Sequence, residues 1–222
     1  MAIWGDFVHS LTVVFVFLSH LSGNYVFGVM LLTIAVRLVL LPLGITQVRS
    51  FQKMARLAPK QRELQAKHKG NPQKMQEELA ALYREEGVNP AAGCLPLILQ
   101  LPVMYGLFDA LRSFHYLPHY GFLIYQNLAV PDHTYTLAIL VAVSTFFMQR
   151  QSMQMTPAQP GMEQSQKMML WVMPIMFGYI ASRLSAGLSI YYVTSNLFQL
   201  GQTALLLRTT PPAPKPAPKA TT

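Results

Sequence analysis

Arg37 is the residue in this sequence best placed to do chemistry, because it lies inside a long apolar stretch. The stretch YVFGVMLLTIAVRLVLLPLGITQ covers residues 25–47, and no other charged residue occurs between Val26 and Ile45. About 20 apolar residues, each rising 1.5 Å along a helix, cross the hydrocarbon core of a bilayer. A charge at that depth costs about 2.5–3.5 kcal/mol on insertion scales. The stretch therefore predicts a membrane span. Its arginine either snorkels or pairs structurally, or it is a functional cation in a wet intramembrane cavity.

Other residue types that support catalysis do not occur in working arrangements. His115 and His119 are four residues apart, but Pro118 lies between them, which argues against a zinc site. Ser189 follows Gly187 by two residues, yet the second glycine of a nucleophile elbow is missing. The predicted spans contain no histidine that could act as a base, and the sequence has no glycine-rich phosphate loop. We therefore predict a protein that is not an enzyme and that uses no cofactor or metal.

The composition is that of a membrane protein. Hydrophobic residues make up 52% of the 222 residues and charged residues only 12%, a balance that soluble chains rarely show. The formal net charge is +8, which alone could indicate nucleic-acid binding. Most lysines and arginines, however, cluster between Arg49 and Arg84, directly after the first span, as the positive-inside rule expects. Cys94 is the only cysteine, so the sequence holds no disulfide framework and no thiolate metal cluster.

The elements that must position Arg37 are helices, and the hydrophobic segments predict an all-α membrane protein with five spans. The spans cover residues 25–47, 90–111, 135–148, 168–181 and 186–207. Pro42 predicts a kink in the first span and Pro174 a break in the fourth. Residues 1–22 form an amphipathic helix that we expect to lie in the membrane interface, anchored by Trp4, because its fully apolar part is short. The helical core then comprises residues 23–208, and residues 209–222 are expected to be a disordered tail.

Residues 49–87 predict a cytoplasmic helical hairpin. Asn71 and Pro72 have the residue types of an N-cap and a first helical position, so the second helix starts there. Seven basic side chains mark this hairpin: Lys53, Arg56, Lys60, Arg62, Lys67, Lys74 and Arg84. The hairpin is either a charged segment that only fixes topology or a docking surface for anionic lipid headgroups or another macromolecule.

Charge also predicts the orientation of the chain. If the hairpin is cytoplasmic, the outer face holds only Arg112 and Arg183. This imbalance places the N-terminus outside and the C-terminus in the cytoplasm.

Methionine is concentrated in one part of the chain. Eight of the 13 methionines lie between Met148 and Met176, across the end of the third span, its loop and the fourth span. Flexible thioether side chains serve ordinary packing, and they also suit a surface that accepts varied apolar partners.

Three segments together carry a resemblance to a known family. They are TIAVRLVLLPL around Arg37, LYREEGVNPAAGCLPLILQLPV after the basic hairpin, and AGLSIYYVTSNLFQLGQT near the end. In this order they resemble the YidC insertase family, with its Oxa and Alb relatives, over about residues 4–207. The resemblance implies a short bacterial insertase, with five core helices around a hydrophilic groove that opens to cytoplasm and lipid. In this chain Ser185 replaces the family's usual proline before AGL, and the tail has no long basic extension of the kind that grips ribosomes.

The resemblance, which matches Arg37, Gln100, Asn196 and Gln202 to groove positions, and the side-chain types within the spans together predict a substrate path. The predicted groove comprises Arg37, Gln100, Tyr192, Asn196, Gln199 and Gln202. The predicted hydrophobic slide, along the second and fourth spans, comprises Leu101, Met104, Met169, Met173 and Met176.

The implied function is insertion and folding of nascent membrane proteins in the bacterial cell membrane. The protein would act as a monomer on nascent membrane-protein substrates in the lipid bilayer, alone or with the Sec translocon, and the ribosome or the signal recognition machinery is a candidate partner. The rival classes are an anion-binding channel or transporter, which would show an internal repeat that we do not find, and a purely structural assembly factor.

Overall fold

The structure is a computed structural model that describes residues 2–68, 70–87, 95–113, 127–155 and 163–209. Within these ranges the chain is all-helical, with one isolated antiparallel bridge between Pro131 and Ser185. The helices are α1 (Ala2–Ser22), α2 (Tyr25–Val39), α3 (Leu41–Lys67), α4 (Pro72–Glu85), α5 (Leu95–Ser113), α6 (Thr136–Met155), α7 (Glu163–Ala181) and α8 (Ala186–Thr209). The predicted all-α class is thus confirmed. His115, His119, Cys94, the start of the second span and residues 210–222 lie outside the described ranges.

The first predicted span is two helices rather than one. The Asn24 side chain caps α2 by accepting hydrogen bonds from the N–H groups of Val26 and Phe27. The helix ends at Val39, and α3 leaves at an angle of 63° to it. Pro42 lies in the first turn of α3, where its missing N–H costs nothing. The kink predicted at this proline is confirmed, and it is sharp enough to end one helix and start another.

Length and hydropathy identify α1 as the helix that could cross a bilayer among the described residues. The window Trp4–Ser22 passes, and the bent pair formed by α2 and the first part of α3 would be a second if it makes one broken span. The 21 residues of α1 reach about 31 Å at 1.5 Å per residue. The interfacial placement of residues 1–22 and the total of five spans stay predictions.

The core joins the N-terminal helices to α8. Helix α1 packs on α2 and α5, α2 packs on α8, and α6 packs on α7 and α8. Phe15, Val29 and Leu111 are fully buried at the centre. A Cβ atom on Gly28 would lie 2.0 Å from the Ser19 Oγ, so this glycine lets α1 and α2 come close.

The predicted hairpin is formed by the second half of α3 and by α4. The Asn71 side chain accepts a hydrogen bond from the N–H of Lys74 at 3.1 Å, which confirms the predicted cap. Helix α3 continues through Pro59. The first arm of the hairpin is therefore a direct extension of the helix that begins at Leu41 beside the bundle.

Two predictions about the third and fourth spans were wrong. Helix α7 runs unbroken through Pro174 from Glu163 to Ala181, so this proline does not divide it. Both helices also extend into residues 149–167, the polar segment expected to be a loop between the third and fourth spans: α6 continues to Met155, and α7 starts at Glu163. Polar side chains there mark helix ends that extend beyond the apolar region, and sequence hydropathy alone does not separate such ends from a loop.

Candidate functional site

Arg37 lies in the last turn of α2 and faces α8. Its Nε donates a hydrogen bond to the Ser195 Oγ at 3.4 Å, and its Nη1 donates one to the Gln199 Oε1 at 3.5 Å. Ser195 and Gln199 are four residues apart on α8 and so share one face of that helix. Both distances are at the long end for hydrogen bonds, and a guanidinium has five N–H donors. Among the described residues, these two contacts use two of the five donors of Arg37, which leaves the others for water or for a bound group.

Arg37 borders an open pocket whose empty volume, which includes space open to solvent, is about 370 Å³. Its walls come from α2, α3, α5 and α8, and its lining residues are Arg37, Leu40, Leu43, Gly44, Gln47, Gln100 and Gln202. Three of these side chains are amides, and none is a carboxylate. In the described parts of the chain, Arg37 makes no ion pair. Among the described residues, its positive charge meets hydroxyl and amide dipoles and no carboxylate, so the pocket suits water and an anionic guest.

The bend between α2 and α3 helps to shape this pocket. It turns the start of α3 toward α8, where a Cβ atom on Gly44 would lie 2.4 Å from the Gln202 Nε2. Any larger residue at this position must push the Gln202 amide aside. Gly44 therefore lets the Gln202 side chain line the pocket.

Gln100 enters the site through a tyrosine that the sequence analysis did not select. Its Nε2 donates a hydrogen bond to the Tyr191 hydroxyl, and the Tyr191 side chain is buried against the core. Tyr191, Ser195 and Gln199 follow at intervals of four along α8. This spacing is visible in the sequence. Steps of four residues back from Gln199 lead to Ser195 and then to Tyr191, the two site residues that the sequence prediction did not include.

Asn196 lies elsewhere. It is buried, and its Nδ2 donates hydrogen bonds to the Ser144 Oγ at 3.1 Å and the Thr145 Oγ1 at 3.0 Å, both on α6. One residue step along a helix turns about 100°, so Asn196 points away from the face that carries Ser195. The structure thus places Asn196 in the contact between α6 and α8 and not beside Arg37.

Tyr192 connects the two flanks of α8. Its hydroxyl donates a hydrogen bond to the Met104 Sδ on α5 at 3.1 Å, and its ring lies 6.1 Å from that of Phe177 on α7. Tyr192 is half-buried. It therefore lies between the two helices predicted to form the hydrophobic slide.

Comparison with known proteins identifies the family. A family model described as 60Kd inner membrane protein matches residues 17–213. The chain belongs to this family. Its relatives include the membrane protein insertase YidC of Clostridium perfringens, 38% identical over 84% of this chain and 79% of that protein. The membrane protein insertase MisCA of Bacillus subtilis is 36% identical over 91% of this chain and 78% of that protein.

Other relatives are longer. The chain spans about a third of the YidC proteins of Chlorobaculum tepidum and Chlorobium limicola, to which it is 35% and 36% identical. The fold matches a solved structure described as an active YidC insertase with the first transmembrane domain resolved. The TM-score is 0.72 at 30% identity, over 90% of this chain and 46% of that one. These names describe insertion and not a catalysed reaction, which agrees with the prediction that the protein is not an enzyme.

In this member of the insertase family, the residues predicted as a slide divide by exposure. Leu101, Met169 and Met176 are exposed at 47%, 41% and 41%, whereas Met104 and Met173 are partly buried. The exposed apolar surface of α7 also includes Met168, Trp171, Val172, Ile175, Tyr179 and Ile180. An apolar face of this size is typical of contact with lipid or with another apolar segment.

The seven basic residues of the predicted hairpin are all exposed: Lys53, Arg56, Lys60, Arg62, Lys67, Lys74 and Arg84. Lys60 pairs with Glu86 across the hairpin at 2.5 Å. The hydrogen bond and the charge of that carboxylate raise the pKa of the Lys60 ammonium group. These seven basic side chains are thus accessible to solvent, and the role of the hairpin stays a prediction.

Proposed function

We propose that this protein inserts membrane proteins into the bilayer and that the Arg37 pocket receives the hydrophilic end of the inserting chain. The observation that carries the proposal is a half-buried arginine in an amide-lined pocket with no described carboxylate partner. Such a cation attracts acidic groups and holds water, which shortens the apolar barrier that a polar segment must cross. The insertase names of the relatives support the same function.

The path of the apolar segment follows from the exposed surfaces. Once the polar end is in the pocket, the adjoining hydrophobic segment moves past Tyr192 and along α5 and α7, where Leu101 and Met176 are exposed. Burying each CH₂ group in lipid then gains about 0.8 kcal/mol. With the hairpin in the cytoplasm, the inside-negative potential drives acidic residues outward by about 2.3 kcal/mol per charge per 100 mV. No nucleotide is required, and the protein acts as a monomer, alone or with the Sec translocon.

Reconstitution tests the proposal. Purified protein in liposomes, with no other component, should insert a single-span client with an acidic translocated end, measured by protease protection. Protein-free liposomes give the background, and an Arg150→Ala variant removes an exposed positive charge outside the pocket. No insertion above background would contradict the proposal. Anion flux through the same liposomes in the absence of clients would favour the channel or transporter class instead.

A further inference from the structure

A second charged pocket lies at the opposite end of α8 from the Arg37 pocket. Its empty volume is about 670 Å³, and its lining residues are Phe108, Arg112, Ala129, Pro131, Arg183, Leu184 and Ser185. Ser185 precedes Gln202, the residue of α8 that lines the Arg37 pocket, by 17 residues, so about 25 Å along the helix separates the two pockets. Arg112 and Arg183 are the two basic residues that the sequence assigns to the outer face, and the fold brings both to one pocket.

The pocket is held by backbone hydrogen bonds between a loop and the start of α8. The Ala186 N–H donates to the Val130 carbonyl at 2.8 Å, and the Gly187 N–H donates to the Leu128 carbonyl at 2.9 Å. The nearby carboxylate of Asp132 accepts hydrogen bonds from the N–H groups of Thr134 and Leu137 at the start of α6. The carboxylate within this loop is therefore engaged by backbone N–H groups next to α6.

The donors of this pocket lack acceptors among the described residues. Neither Arg112 nor Arg183 forms an ion pair there, and the Arg183 guanidinium lies 5.7 Å from the ring centroid of Tyr179. Ser185 is 5% exposed, and its Oγ is buried without a hydrogen-bond partner in the described part of the chain. Ser185 also precedes the first turn of α8, where the helix dipole adds partial positive charge.

We propose that this pocket binds the phosphate of an anionic phospholipid headgroup. Two guanidinium groups and a serine hydroxyl offer charge-assisted and neutral hydrogen bonds to phosphate oxygens. Phe108 and Leu184 line the same pocket and give the glycerol and acyl part of a lipid an apolar contact, which a free phosphate ion would not use. Lipid binding at this pocket is a property separate from insertion. It shares with the proposed function only the assumption that the helices span the bilayer.

Lipid binding to the full-length protein in detergent tests the inference. Calorimetric titration with dioctanoyl phosphatidylglycerol should show saturable binding, and Arg112→Gln/Arg183→Gln should weaken the affinity at least tenfold. The matched control, Arg150→Gln/Arg208→Gln, removes two exposed arginines from the other end of the bundle and should leave the affinity unchanged. Ser185→Ala should lower the affinity by a smaller factor without changing the charge, and Arg112→Lys/Arg183→Lys should restore part of it.

Three results would overturn the inference. Equal losses in the test and control double variants would show general attraction to a basic protein. Equal affinity for dioctanoyl phosphatidylcholine, or displacement of the lipid by an equal concentration of inorganic phosphate, would show that the pocket does not recognise an anionic lipid. Insertion is measured separately in phosphatidylcholine liposomes, so loss of lipid binding with normal insertion leaves the proposed function intact.

Discussion

At the scale of single residues, Arg37 is held loosely for a charge inside a helix bundle. Its two described side-chain hydrogen bonds, to Ser195 and Gln199, are 3.4 and 3.5 Å long. Strong charge-assisted hydrogen bonds are nearer 2.7–2.9 Å. Such weak restraint favours a role for the positive charge over a role for the planar guanidinium.

Replacing Arg37 tests that distinction. Arg37→Lys should retain much of the insertion rate, because a point charge still attracts an acidic end. Arg37→Ala should slow insertion of a client with an acidic translocated end by roughly 10- to 100-fold, the range for losing a hydrogen bond to a charged group. A client with a neutral end should be affected less. Insertion rates for both clients, measured beside the melting temperature, provide the test.

The opposite pattern would identify Arg37 as a structural residue. If lysine fails as badly as alanine and both variants melt earlier, the guanidinium geometry holds α2 against α8. Arg150→Ala serves as the control for loss of one positive charge.

Asn196 has the contacts of a structural residue, although its type suggested a place in the groove. Asn196→Ala removes two hydrogen bonds to α6 and leaves Ser144 and Thr145 without that partner. We expect a loss of about 1–2 kcal/mol in stability and normal insertion well below the melting temperature. Gln199→Ala should slow insertion and leave the melting temperature nearly unchanged, because Gln199 faces Arg37. A slower insertion rate with an unchanged melting temperature for Asn196→Ala would contradict this assignment.

At the scale of elements, the sharp bend between α2 and α3 shapes the pocket. The chain turns by 63° after Val39, and Gly44 then lies against the Gln202 side chain. The pocket therefore depends on a close approach that a single glycine permits.

Gly44→Leu should fill the pocket by displacing the Gln202 amide, and so should reduce insertion strongly. The matched control is Gly201→Leu on α8, where an added Cβ atom meets nothing within 4 Å. Insertion rates of the two variants, compared at equal reconstituted amounts, test the expectation. Equal activity of both variants would mean that clients do not enter this pocket.

At the scale of the whole molecule, polar and apolar surfaces lie on different parts of the fold. The amide-lined pocket opens among α2, α3, α5 and α8, and the basic hairpin extends from the same α3. The outer surfaces of α6 and α7 are broadly apolar, with Ile139, Phe147 and Trp171 exposed. This separation suits a protein that offers water on one side and lipid on another.

Cysteine labelling tests the separation. In a Cys94→Ser background, Arg37→Cys should react with a water-soluble maleimide added from the hairpin side if the pocket holds water as proposed. Leu38→Cys, at the next residue and 54% exposed on the outside of α2, should be protected by lipid. Equal protection of both cysteines would show a dry pocket, and it would contradict the proposed entry of polar segments.

The local features of this protein can be read from its amino-acid order. Helices follow from apolar runs, and the Asn71 cap follows from its own side chain and the proline after it, because these interactions span only a few residues. Arg37 could be selected for the same reason, since one charge in an apolar run is visible without any fold. The resemblance to the insertase family also needed only the order of three segments.

The tertiary structure alone decided which polar residues meet. Helix α8 carries hydroxyls and amides on several faces, so its sequence did not show which face meets α2 and which meets α6. A single residue step, about 100° of rotation, separates Ser195 beside Arg37 from Asn196 beside Ser144. The size of the bend after Val39 could not be predicted from the sequence, and neither could the position of Arg112 and Arg183 at one pocket. Both depend on packing between segments far apart in the chain. Local patterns fix the helices, and the directions in which those helices face each other are set only when they pack.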